Sequence, residues 1–197
     1  MNLQKFNFEG CSLDEFIEFW QKIYGSNQYS DKTYHENINY SSPLSEENIQ
    51  ELIEWKVENI PGSHEDFKEK SKKHLPKINQ FRNRSDISES DLEEFWKEVA
   101  SKVVDSGMVF KGFLLHLASP KEFPIIDRHV MRAKIYLESG EIREDVDISR
   151  KDLDDYKEYR EFFSEIKNKA RKNEREIDKA LWSFGKFLKS IFASDLK

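Results

Sequence analysis

Apolar residues recur mostly three and four positions apart along this chain, a spacing that predicts helices. Phe16, Ile17, Phe19, Trp20 and Ile23 form a first stripe ending near Gly25, opened by Ser12 and Glu15 as a capping box. Residues 25–42, rich in Ser, Asn and Tyr, read as a loop, and residues 1–10 as room for a short strand. A second helix begins after Ser45, carries Ile49, Leu52, Ile53 and Val57, and stops before Pro61-Gly62. The third, over about 64–79, is highly charged and interrupted at Pro76. The fourth, near 88–105, carries Leu92, Phe95, Trp96, Val99 and Val103.

Residues 107–118 predict a short, nearly all-apolar helix, followed by the Pro-bounded link SPKEFP. Asp127 opens the sixth helix, and 139–149 form a loop. The seventh, about 150–171, is mostly charged. The last, about 174–193, sets Ile177, Ala180, Leu181, Phe184, Leu188 and Ile191 on one face, as a core helix does.

Composition sharpens this picture. Aromatics make up 13% of the 197 residues, so the chain folds. With only 7 Gly, 5 Pro and 36% charged residues, long helices with charged outer faces are favoured over a turn-rich β fold. The fold class expected is therefore all-α, about eight helices in one domain, 1–197. Cys11 is the only cysteine, which excludes an internal disulfide and a four-cysteine metal site. No apolar run reaches the roughly 18 residues of a membrane span, and MNLQKFNFEG lacks the apolar core of a signal peptide, so a soluble cytoplasmic protein is expected. The histidines 35, 64, 74, 116 and 129 have no metal-ligand spacing, so no metal and no cofactor is called for.

The stretch that carries chemistry is GMVFKGFLLHLASPKEFPIIDRHVMRA, 107–133. It joins an apolar helix bearing Lys111 near its start, a short loop, and Asp127 at the head of the next helix, in the order Asp127, His129, Val130, Arg132. This resembles the helix-hairpin-helix DNA glycosylase superfamily, where an Asp-x-His-[Val/Ile]-x-Arg run follows the hairpin; it looks like a divergent bacterial oxoguanine-glycosylase-like member. Alignment on Lys111 puts Gly107 at the first hairpin glycine but Val109 at the second and Ser106 at the proline, so the hairpin is degenerate.

The resemblance implies two lobes, 45–140 with the hairpin-like segment and Asp127, and 1–44 plus 141–197. It implies a partner, duplex DNA with a flipped base, and base release in the manner of base excision repair. Asp127 would stabilise the positive charge that develops on the sugar and activate the nucleophile. Lys111 would be the Schiff-base nucleophile of a bifunctional enzyme with AP-lyase activity. Gly107, His129 and Arg132 would contact DNA, and Trp55, Phe110, Trp182 and His129 are available as pocket walls.

Each residue also has a plainer role. Aspartate is a favoured N-cap, and Lys111 can pack its stem and carry its amine to the surface. His116 reads as a satisfied core histidine. The cations of 68–84, among them Lys72, Lys73, Arg82 and Arg84, and those of 167–175 are either solvated helix faces or a phosphate-tracking surface. In the second case the acidic clusters at 89–98 and 152–161 would lie on the far side. The net charge of −6 and the missing glycine favour the alternative, a non-catalytic nucleic-acid-binding or protein-interaction module.

Overall fold

Side chains that cap their own helices set the boundaries of this fold. In the computed structural model, which describes residues 10–26, 31–38, 40, 42–58, 60, 64–84, 87–105, 107–149 and 152–194, there are nine helices and no strand among the described residues. They are α1 (Leu13–Ser26), α2 (Asp31–Ile38), α3 (Glu46–Val57), α4 (Glu65–Arg82) and α5 (Glu89–Phe95, continuing through a π-helical turn Trp96–Ala100 to Ser101–Val103). Then come α6 (Met108–Ala118), α7 (Arg128–Ser139), α8 (Leu153–Lys169) and α9 (Glu174–Ser194). The strand expected before residue 10, the Pro61-Gly62 stop and Ser106 fall outside the described residues.

The cap before α1 is the one expected, with Ser12 N–H donating to Glu15 Oε2 at 2.7 Å. At α3 the Asn48 N–H donates to Ser45 Oγ at 3.1 Å, and Ser45 N–H returns to Asn48 Oδ1 at 3.1 Å. Each such box satisfies two amides that the first turn would leave bare. Gly140 ends α7 at φ +73°, a left-handed conformation that glycine adopts without strain.

Two expectations change. Residues 31–38, read as loop, form α2, held by the buried Tyr34 and Ile38. Pro76 does not interrupt α4, which runs on to Arg82 and buries Phe67, Ser71, Leu75, Ile78 and Phe81. Its ring is exposed, so the helix loses one backbone bond on its wet side without breaking. Helix α8 is mostly charged, as read, and its remaining face buries Tyr156, Tyr159, Phe162, Phe163 and Ile166.

Two compact units result. One combines the described residues of Met1–Tyr29 and Pro124–Lys197; the other is Ser30–Phe123. The divisions run at 29/30 and 123/124 instead of 44/45 and 140/141, so Asp127 belongs with the terminal helices and the hairpin-like segment with the other unit. In the first unit α9 packs against α1 and α7. Phe184 is central there, with its ring 5.2 Å from Phe16, 5.2 Å from Trp20 and 5.4 Å from Tyr136. In the second, α3, α4 and α6 close around Leu52, Ile78, Phe113 and Leu117, all fully buried. No described helix is long and apolar enough to cross a membrane.

Candidate functional site

The segment Pro124-Ile125-Ile126-Asp127 is positioned from below by α8. Tyr156 donates its hydroxyl to the Pro124 carbonyl at 3.0 Å, and Tyr159 donates to Ile125 at 3.0 Å. Burial pushes both phenols far above the usual tyrosine range, so they stay protonated donors. Asp127 then caps α7 through one carboxylate oxygen, Oδ1, which accepts from the amides of His129 at 2.7 Å and Val130 at 3.1 Å. The side chain is half-buried.

Close beside it stand His129 and Arg132. Arginine can only donate, so its 3.2 Å bond to His129 Nδ1 makes that nitrogen an acceptor and puts the ring proton on Nε2. Burial holds the imidazole below the usual histidine range; the Asp127 carboxylate opposes this and the Arg132 guanidinium adds to it. The His129 ring meets Trp182 edge-on at 5.2 Å. Beneath it Gly185 of α9 lies so close that an added Cβ would sit 2.6 Å from the His129 carbonyl carbon.

Arg132 is only 2% exposed. Its Nε donates to the Arg143 carbonyl at 2.8 Å, Nη2 to Glu144 at 2.6 Å and Nη1 to Gly185 at 3.2 Å. The guanidinium thus fastens the 140–149 loop and α9 to α7, and this structural role replaces the DNA contact read for it from sequence. Three carbonyls compensate the burial of its charge.

Lys111 belongs to the other unit. Its ammonium lies 3.4 Å from Ser101 Oγ, 3.4 Å from the Asp105 carbonyl and 5.5 Å from the Trp96 ring centre. Gly107, just before α6, has φ +99°, with nothing within 4 Å of where a Cβ would stand. Trp55 packs on Tyr34 at 5.1 Å and Phe113 at 6.3 Å, while Phe110 packs on Phe67 at 4.8 Å. His116 is buried, as read, with Nδ1 donating to the Phe123 carbonyl at 2.7 Å and Nε2 accepting from the Tyr34 hydroxyl at 2.7 Å.

Among the basic candidates, Lys72 donates to Gln50 Oε1 at 2.7 Å, and Lys73 is exposed. Arg82 binds three main-chain carbonyls, Ser42 at 3.2 Å, Ile38 at 2.9 Å and Leu117. Two of these close the carboxyl ends of α2 and α6, where the dipole favours a cation. Arg84 pairs with Asp91 and lies 4.8 Å over the Phe81 ring. A cavity of about 200 Å³ opens here, lined among others by Tyr40, Ser42, Arg82, Arg84, Lys121 and Glu122. The acidic cluster at 89–98 does not sit apart from this basic run, since Arg84 pairs with Asp91 and Lys77 lies 4.0 Å from Glu98, and carboxylates outside that cluster meet the run as well. Lys68 bonds Glu54 at 3.1 Å and Glu65 at 3.0 Å, and Lys70 bonds Asp66 at 2.9 Å. The second run is likewise interleaved, with Lys167 at 2.6 Å from Glu174.

Sequence reasoning missed Gly185, Tyr156 and Tyr159. A glycine inside an otherwise regular core helix was the one available signal of close approach. No group of three or more His, Cys, Asp or Glu among the described residues is arranged to hold a metal ion. Comparison with protein-family models, with curated proteins and with solved structures finds no match to this chain.

Proposed function

We propose that this chain is a DNA-glycosylase-like hydrolase that releases a damaged or modified base from DNA, with Asp127 at its centre. The observation that carries the reading is the fixed orientation of Asp127. Two amides anchor Oδ1, and two buried tyrosines hold the preceding residues. A carboxylate so held needs no reorganisation when positive charge develops on a sugar beside it. In the hydrolytic course the bond from C1′ to the base nitrogen breaks and the base leaves with the electron pair. Water adds to C1′, and Asp127 stabilises the cation and takes the proton from the water. In a bifunctional course the Lys111 amine attacks C1′ instead, the base departs, and the sugar ring opens to an imine. Gly107, Lys72, Lys73 and Arg84 are the DNA contacts of this reading on the second unit.

A second reading, a non-catalytic nucleic-acid-binding or protein-interaction module, has its own observation. The two amide bonds of Oδ1 are what an ordinary N-cap makes, and Val109 stands where the hairpin would have glycine. The two readings separate in a base-release assay on duplexes carrying lesions and modified bases, with borohydride trapping. Asp127→Asn keeps a capping oxygen, so the fold persists. Release should fall by on the order of 10²–10⁴, and a trapped adduct should vanish in Lys111→Ala if the amine is the nucleophile. Undiminished release in Asp127→Asn would sink the assignment, and DNA binding without release from any substrate would favour the module.

A further inference from the structure

Helix α9 carries Arg175, Lys179, Trp182, Lys186 and Lys189 at alternating steps of four and three. At about 100° per residue these positions fall in one narrow stripe. Four are cations and one is a tryptophan; no carboxylate shares the stripe.

The structure arranges the stripe. Arg175 is buried and paired with Asp178, and its Nη2 donates to the Tyr24 hydroxyl at 3.2 Å, so it anchors the stripe's first turn. Lys179 lies 5.8 Å over the Tyr24 ring, and Lys186 lies 4.8 Å over Trp182. The tryptophan is locked between Tyr24 at 5.2 Å and His129 at 5.2 Å. Lys186 therefore rests on a rigid platform beside the amino end of α7. Lys189 is exposed one turn further on. From Lys179 to Lys189 the helix rises about 15 Å, some four nucleotide steps along a strand at about 3.4 Å each.

We infer that Lys179, Lys186 and Lys189 on α9 form a phosphate-tracking surface for nucleic acid, which leads a strand past Trp182 to Asp127. The inference rests on the DNA reading above only for its partner, since recognition of phosphate by a cation row needs no catalysis.

The test is the salt dependence of binding to a fluorescein-labelled 20-base-pair DNA duplex. It compares wild type, the triple variant Lys179→Gln/Lys186→Gln/Lys189→Gln, and a control with the same charge change, Lys22→Gln/Lys32→Gln/Lys102→Gln. Thermal melts confirm that all three are folded. Each phosphate contact contributes about 0.9 to the slope of log affinity against log salt. The stripe variant should therefore lose about 2–3 from that slope and on the order of 10² in affinity near 0.15 M salt, with the control close to wild type. An unchanged slope, an equal loss in both variants, or no binding by the wild type overturns the inference. Base release is measured separately with Asp127→Asn. A stripe that binds while no substrate is cleaved leaves this inference standing and removes the catalytic one; cleavage with an unaltered slope does the reverse.

Discussion

Gly185→Ala tests the crossing of α7 and α9 directly. A Cβ there would stand 2.6 Å from the His129 carbonyl carbon and 3.1 Å from its Cα. Carbon atoms rest about 3.5–4.0 Å apart, so the helices must separate by roughly 1 Å. The obstacle is backbone, which cannot swing aside as a flexible side chain can. Val130 and Ala133 of α7 and Leu181, Phe184 and Leu188 of α9 are buried in this unit and lose contact as the helices part. Overpacking of this kind costs about 1–3 kcal/mol. The same shift loosens the 3.2 Å bond from Arg132 to the Gly185 carbonyl, and a buried donor left unmatched costs about 1–3 kcal/mol more. Alanine's better helix propensity returns about 1 kcal/mol. The net is a destabilisation of about 1–5 kcal/mol, a fall in Tm of roughly 2–20 °C for a chain of this size. Thermal melting followed by circular dichroism measures it. An alanine variant that melts at or above wild type would refute the close approach.

Tyr159→Phe removes the donor to the Ile125 carbonyl and leaves a buried acceptor bare; a loss of about 1–3 kcal/mol in urea unfolding is expected, and an unchanged midpoint would mean that water replaces the phenol. Ser183 is 3% exposed and its Oγ has no hydrogen-bond partner among the described residues, so Ser183→Ala should raise stability by about 0.5–1 kcal/mol; a lower urea midpoint would contradict that. Burial lowers the folded-state pKa of His129 below its unfolded value of about 6.5. The unfolded chain therefore binds the proton more readily, and stability is retained above that pH and lost as pH falls towards the folded value. His129→Gln should flatten the decline in urea midpoint between pH 7.5 and 5 relative to wild type, and parallel curves would show that the ring does not contribute.

Much of the helical order was legible because it is written in local signals. Ser12 with Glu15, Ser45 with Asn48 and the apolar face of α9 act within a few residues of themselves, and spacing reveals them. Helix α2 was not legible, because only Tyr34 and Ile38 fix it in an otherwise polar stretch. Helix α8 hid its buried face because its apolar residues include tyrosines scattered among charges. Asp127 as the head of α7 was readable, but what Arg132 and Arg82 do was not. Their partners are main-chain carbonyls from distant segments, and a carbonyl leaves no mark in the sequence. The ion partners of the basic runs were hidden for a related reason, since the carboxylates that meet Lys68 come from both a neighbouring helix and its own first turn.

The partition of the chain carries a consequence for the order of assembly. Ser30–Phe123 is one uninterrupted segment, whereas the other unit needs α1 from before that segment and α7 to α9 from after it. During synthesis at about 5–20 residues per second, the contiguous unit has all its residues while α9 is still untranslated. Helix α1 is made before that segment and must wait with Phe16 and Trp20 uncovered until Phe184 arrives. Pairing over so long a separation carries the loop-closure entropy of the whole insertion, so α9 completes this unit only after the inserted segment has been made.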